Sequence, residues 1–249
     1  MSGRTAQRPA QRALAQAGWE MRLLLRNGEQ LLLTVIIPVT ILLVLTLTDL
    51  FPQGRGPEGL PRSLATVLTV SIISSAFTSL AIATAFERRS GALRLLSTTP
   101  LSIRELITGK LLATVGVTAV SAVVVVLVAV VLGWRPGPGA AWAVPVLVLG
   151  VAAWVPWGLA LAGALRAEAV LAVANGIFLV LLLLGGVVIP VTSLPGALGA
   201  LASVLPSGAL SDALTTALVT GSPDAAACLV LVVWAGAGVL VATRSFRWA

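Results

Sequence analysis

The sequence contains no histidine, one cysteine and one lysine. Without histidine, the chain has no imidazole to act as a general base or as a metal ligand. Cys228 lies in an apolar run, and a single cysteine excludes an intrachain disulfide and a cysteine-based zinc cluster. We therefore predict neither a metal site nor a catalytic residue.

The single lysine, Lys110, does not belong to a phosphate-binding loop. Such a loop has a first glycine where this chain has Arg104, and a serine or threonine where it has Leu111. We therefore predict that the chain binds no ATP by this route, carries no cofactor of its own and is not an enzyme.

Charge is also scarce: 10% of the 249 residues are charged, 58% are hydrophobic, and the mean hydropathy is +1.04. A soluble domain usually has about 25% charged residues, so too little polar surface is present to cover a water-soluble globule. The composition indicates an integral membrane protein.

Six apolar stretches are long enough to cross a bilayer, because about 20 helical residues span a hydrocarbon core of about 30 Å. They are residues 31–48, 64–86, 111–132, 143–165, 170–189 and 225–243, and none contains an ionisable side chain. The pattern predicts an all-α polytopic membrane protein with six transmembrane helices, forming a single domain over residues 1–249.

The basic residues indicate the orientation of the helices. The net charge of +7 is concentrated at the ends of apolar runs, which argues against nucleic acid as a partner. With both termini in the cytoplasm, only Arg55, Arg62 and Arg135 lie outside. The excess of positive charge inside predicts this topology.

Two further segments are predicted to lie at the membrane surface. Residues 10–29 form an amphipathic interface helix, with Leu14, Ala17, Met21 and Leu24 on its apolar face. Residues 191–223 form an extracellular re-entrant helical hairpin between spans five and six, and Pro195 and Pro206 bound its first short helix. The alternative for the second segment is a seventh span.

The loop between spans two and three, residues 87–100, mixes leucine with arginine and is predicted to form a short cytoplasmic helix that ends at Pro100. Ser102 and Glu105 then match a capping box at the start of the next helix. Position alone favours the alternative, a loop that only anchors two helix ends, because charged cytoplasmic loops are common.

Polar side chains within the spans are candidates for a substrate path. Helical spacing places four hydroxyl residues of span two on one face, although such residues also serve helix–helix packing. Two tryptophans flank a proline in span four, and an asparagine lies in span five. The candidates are Ser71, Ser74, Ser75, Thr78, Trp154, Trp157 and Asn175.

Two segments resemble type-2 ABC exporter permeases: "FERRSGALRLLSTTPLSIRELITGK" and "LPGALGALASVLPSGALSDALTTALVTG". The resemblance implies that residues 87–100 form a coupling helix seated on a separate ATPase subunit. Arg94 stands where an acidic residue is common in that family. The coupling contacts implied are Glu87, Arg88, Arg89, Leu93, Arg94, Leu95 and Leu96.

The resemblance also implies partners and a function. Two permease chains, identical or sister, would form a dimer in the lipid of a bacterial inner membrane, with two soluble subunits that bind ATP and Mg. The expected activity is efflux of a hydrophobic or amphipathic cargo such as a drug, natural product or lipid-like molecule, with multidrug resistance as an expected role.

The sequence disfavours two other function classes. A secondary carrier or channel is disfavoured because the spans lack ionisable groups. A membrane-embedded enzyme is disfavoured because histidine and a recognisable acidic pair are absent. The sequence leaves the identity of the cargo open.

Overall fold

The computed structural model describes residues 9–26, 28–48, 58–96, 98, 102–189, 193 and 195–245, with side chains at 9–13, 23–26 and 28–33 excepted. Within these residues the fold is all-helical and has no strand. The α-helices are α1 (Pro9–Arg26), α2 (Gly28–Leu47), α3 (Gly59–Ile72), α4 (Leu80–Arg89), α5 (Ala92–Leu96), α6 (Ile103–Val131), α7 (Ala143–Ala164), α8 (Ala167–Leu184), α9 (Gly196–Val204), α10 (Pro206–Val219) and α11 (Ala225–Ser245).

Two less common helical segments complete the fold. A π-helix, Ile73–Ser79, joins α3 to α4 without a break, and a 3₁₀ turn, Pro138–Trp142, leads into α7. The three segments from Gly59 to Arg89 therefore form one long helix, and this is the most buried of the candidate spans.

Five of the six predicted spans are confirmed as described helices that are long and apolar enough to cross a membrane. The remaining one corresponds to α2, whose described apolar part is Thr34–Leu47. The α9–α10 pair also has sufficient length but is bent by 82°. The two short helices expected in residues 191–223 are thus present, and their insertion into the outer leaflet stays a prediction.

Several helices extend beyond the predicted spans. The third span was placed at 111–132, whereas α6 begins at Ile103, because the predicted capping box sets its start. The Ser102 backbone N–H donates to Glu105 Oε2 over 2.7 Å, and the Glu105 N–H donates to Ser102 Oγ over 3.3 Å. Lys110 consequently lies inside a spanning helix.

The spans alternate in direction, so basic residues from distant parts of the chain meet at one end of the bundle. We call it the Arg-rich end: α4, α7 and α11 finish there, and α6 and α8 begin there. It carries Arg88, Arg89, Arg94, Arg104, Lys110, Arg166 and Arg244, whereas the described part of the opposite end carries Arg62 and Arg135.

A proline inside α2 shapes the packing of that helix. Pro38 has no backbone N–H, so the Thr34 carbonyl one turn earlier loses its usual helical donor. The Ser121 hydroxyl of α6 donates to the Thr34 carbonyl oxygen instead, over 2.7 Å. The bond fixes α2 against α6 beside the first of the two cavities described below.

Candidate functional site

A cavity of about 530 Å³ lies between α2, the α3–π-helix segment and α8. We call it the hydroxyl-lined cavity because its central wall is a row of serines. Its polar lining residues are Thr34, Thr40, Thr66, Ser71, Ser74, Ser75 and Ser79, and the remaining wall is apolar, including Phe178 and Leu182 of α8.

The serine row differs from the predicted one by a single residue. Ser71, Ser74 and Ser75 line the cavity, but Thr78 does not; it is buried elsewhere, and Ser79 takes its place. The π-helix explains the change, because its i→i+5 bonding brings Ser79 above Ser74 where an α-helix would bring Thr78. The sequence also held a signal for Ser79 that was not used, since it follows Ser75 by four residues.

The serines of this wall differ in their hydrogen bonding. Ser71 Oγ donates to the Val67 carbonyl over 2.8 Å. Ser75 Oγ donates to the Ser71 carbonyl over 2.8 Å and lies 3.3 Å from Thr118 Oγ1 on α6. The hydroxyls of Ser74 and Ser79 hydrogen-bond to no described residue, so they are available to a molecule in the cavity.

The other candidates for the substrate path lie outside this cavity. Trp154 is buried against Phe77, with ring centroids 5.5 Å apart. Trp157 ties α7 to α11, since its indole N–H donates to the Trp234 carbonyl over 3.0 Å. Asn175 is exposed on α8 and donates to the Leu171 carbonyl of its own helix. The structure therefore does not bring these three side chains together with the serine row.

A second cavity of about 560 Å³ lies on the other side of α3, between α6 and α7. We call it the apolar groove, because Thr118 is the one polar residue in its lining. Leu68 of α3 lies at the groove, whereas Val70 and Ser71 of the same helix line the hydroxyl-lined cavity. One helix therefore separates the two spaces.

At the Arg-rich end, the short helix α5 occupies the predicted coupling loop. Gly91 has a φ of +80°, which lets the chain reverse after α4 at little steric cost. Leu93 is fully buried within the chain, Leu96 is half-buried, and Leu95 is 73% exposed. Leu93 was expected to contact a partner, but burial corrects this: it anchors α5, and Leu95 is the leucine on the surface.

We call the end of α4 together with α5 the coupling corner, and its arginines also differ from one another. Arg88 donates to the Gly163 carbonyl over 2.6 Å and to the Leu165 carbonyl, so it caps the end of α7. Arg89 forms an exposed ion pair with Glu168 at the start of α8. These two side chains join the coupling corner to the α7–α8 connection, whereas the sequence interpretation had assigned both to a partner subunit.

A buried ion cluster, which the sequence did not predict, fixes the interface helix to this end. Lys110 Nζ lies 2.9 Å from Glu87 Oε2 and 3.1 Å from Glu20 Oε1, with the lysine side chain 2% exposed. Gln16 donates to Glu20 over 2.8 Å. Burial raises the pKa of Glu20, although the Lys110 ammonium and the Gln16 amide oppose the shift.

The cluster also corrects the orientation of α1. Leu14 was placed on the apolar face together with Ala17, yet Leu14 is exposed along with Trp19, whereas Ala17 is buried beside Glu20. The outward apolar side chains suit a helix at a headgroup boundary. The available signal was Glu20 standing three residues after Ala17, on the inward face.

The comparisons with known proteins agree with this architecture. Residues 46–244 match the family model described as ABC-2 family transporter protein. The comparison with curated proteins gave no match. Because the matched region covers most of the chain, including the coupling corner and the helices from α3 up to the end of α11, the chain belongs to the ABC-2 transporter family, as a multi-pass membrane permease.

Proposed function

We propose that this permease is the membrane subunit of an ATP-driven exporter and that α5 is its contact with a separate ATPase. The supporting observation is the construction of α5. A buried leucine holds the helix in the body of the protein, while Leu95 is exposed beside Arg94. An anchored helix with an outward apolar side chain is suited to transmit a push from a soluble subunit.

The energy comes from the partner in this proposal. Two ATPase subunits hold ATP and Mg, and the Arg-rich end faces the cytoplasm of a bacterial cell, in accordance with the positive-inside rule. Both termini lie on the cytoplasmic side.

Arg88 and Arg89 carry motion of the coupling corner into α7 and α8, because they bond both sides of the α7–α8 connection.

The proposed cargo is hydrophobic or amphipathic and enters the hydroxyl-lined cavity. The cavity volume lies within the range of about 300–1,000 Å³ for small-molecule sites. Apolar walls bind the body of the cargo, and the hydroxyls of Ser74 and Ser79 bind a polar group on it. Efflux of such molecules is the physiological role that this arrangement supports.

A second permease chain completes the transporter in this proposal. α8 exposes apolar side chains along most of its length, together with the amide of Asn175. A polar amide in hydrocarbon favours a helix neighbour. We place α8 at the interface between permeases, identical or sister.

Coupling is tested with Leu95→Asp in the complex assembled with the ATPase. We expect the substitution to weaken the complex and to abolish cargo-stimulated ATP hydrolysis, because truncating a desolvated interface anchor typically costs about 2 kcal/mol. Thr108→Asp adds the same charge at an exposed position of α6 at the same end and is the control. Unchanged assembly and hydrolysis in Leu95→Asp would contradict the role of α5.

The cargo site is tested separately with Ser74→Ala and Ser79→Ala. Both should change the cargo concentration for half-maximal transport while leaving complex assembly intact. Thr78→Val, in the same π-helix but outside the cavity, should have no such effect. An equal response of all three variants would show that the serine row serves packing rather than transport.

A further inference from the structure

The apolar groove opens sideways toward the hydrocarbon of the membrane. Its rim residues Val123 and Leu127 on α6 and Val144 and Val148 on α7 are exposed. Between Val115 and Leu127 the groove follows α6 for about 18 Å at 1.5 Å per residue. This length is close to one leaflet, which is half of a hydrocarbon core of about 30 Å.

A polar chamber of about 410 Å³ adjoins the groove at the end opposite the Arg-rich end. Trp134 and Leu218 line both spaces, so the chamber continues the groove toward the membrane surface. Glu58 and Arg135 supply the charges of the chamber lining. The composite site thus has a long apolar part and a short polar part.

The end of α6 places Trp134 between the two parts. Gly133 has a φ of +102°, and its N–H donates to the Val130 carbonyl over 3.0 Å. The Trp134 N–H donates to the Ala129 carbonyl over 2.9 Å. This pair of bonds is the Schellman pattern, which turns the chain back so that the indole packs over the groove.

The charges of the chamber favour a negative ligand. Glu58 is already paired with Arg62 over 2.6 Å. Arg135, in contrast, forms no ion pair or hydrogen bond with any described residue. One unpaired guanidinium therefore remains in the chamber, next to a groove that is otherwise suited to hydrocarbon. Guanidinium groups bind phosphate well.

We propose that the groove and chamber together bind one anionic phospholipid of the adjacent leaflet. An acyl chain lies along α6 and α7, and the phosphate meets Arg135. The site is distinct from the proposed cargo cavity because α3 stands between them. The lipid is a bound constituent of the permease rather than its cargo.

The test is lipid retention by the purified full-length chain. Native mass spectrometry would follow the loss of bound phosphatidylglycerol, and of phosphatidylcholine with the same acyl chains, as detergent is increased. We expect one retained phosphatidylglycerol. Arg135→Gln should reduce the preference for the anionic lipid by about fivefold, the factor expected for one arginine near an anionic membrane surface.

A matched pair of substitutions tests whether an acyl chain lies in the apolar groove. Val123 and Val233 are 58% and 61% exposed, and each lies eight residues from the end of its helix opposite the Arg-rich end. Val123→Trp crowds the groove and should abolish retention of either lipid, whereas Val233→Trp on α11 adds the same bulk elsewhere and should not.

Several results would overturn the proposal. They are equal retention of the two lipids by the unchanged protein, or retention that neither Arg135→Gln nor Val123→Trp alters. A disulfide-linked dimer formed in membranes by Val123→Cys, in a Cys228→Ser background, would show that a second copy of the chain occupies the groove. If the unchanged protein, assembled with its ATPase, retains the lipid but transports no cargo, the result counts against the proposed function alone.

Discussion

The hydroxyl of Ser121 donates to the carbonyl oxygen of Thr34, and Pro38 creates the need for this bond. The proline removes the amide that would normally bond the Thr34 carbonyl, and α6 supplies a hydroxyl in its place over 2.7 Å. A helix defect in α2 is thus matched by a side chain far away in the sequence.

This relationship predicts a non-additive pair of substitutions. Ser121→Ala should lower the free energy of unfolding by about 1 kcal/mol, because the Thr34 carbonyl loses its cross-helix donor. In a Pro38→Ala background the restored amide bonds that carbonyl, so the same change should cost much less. Unfolding in detergent micelles measures both values, and simple additivity would show that the two residues are independent.

The ion cluster predicts that Lys110 is more sensitive to substitution than its exposed neighbours. Lys110→Met leaves Glu20 and Glu87 close together without a counter-charge, and we expect a loss of about 3 kcal/mol of stability. Arg104→Met, at an exposed position of the same helix, is the control. Adding Glu20→Gln to Lys110→Met should restore part of the loss; no restoration would mean that the damage arises from packing.

The raised pKa of Glu20 predicts a pH dependence for the docking of α1. Folded protein retains a proton on Glu20 above the ordinary pKa of 4.5, where an undocked helix has lost it. This contribution to stability is complete below pH 4.5 and disappears as the pH rises through the raised pKa. The unfolding free energy of the wild type relative to Glu20→Gln should therefore fall over that interval. Parallel pH curves would contradict the prediction.

Neighbouring arginines should respond differently to the same substitution. Arg88→Met removes the donors to the Gly163 and Leu165 carbonyls and should cost about 1.5–3 kcal/mol, the range for hydrogen bonds made by a charged group. Arg89→Met removes an exposed ion pair and should cost below about 1 kcal/mol. Thermal unfolding of the two variants gives the comparison, and equal costs would refute the capping role of Arg88.

Sequence reasoning succeeded where the determining signal was local. The Ser102–Glu105 capping box needs four consecutive residues and was confirmed, and the apolar runs identified the spans because bilayer thickness fixes their length. Sequence reasoning failed where packing between distant parts of the chain decides which side chain is buried. Leu93 and Leu95 are both leucines in one five-residue helix, and contact with the rest of the bundle determines which is buried.

The candidate site shows the same limit. The serine row of the long central helix was found from composition and spacing, but the π-helix changed its last member from Thr78 to Ser79. A π-turn adds one residue to a helical turn and leaves no reliable mark in a single sequence. The Lys110–Glu87–Glu20 cluster was likewise inaccessible, since three helices must meet before the charges do.

The position of α3 between the groove and the hydroxyl-lined cavity has a thermodynamic consequence. Because the two spaces share this wall, an occupant that displaces α3 from one side changes the fit on the other. Linkage requires the effect to be reciprocal: if a bound lipid changes the affinity for cargo by some factor, cargo changes the affinity for lipid by the same factor. The composition of the surrounding bilayer would then act as an effector of transport, with no contact between lipid and cargo.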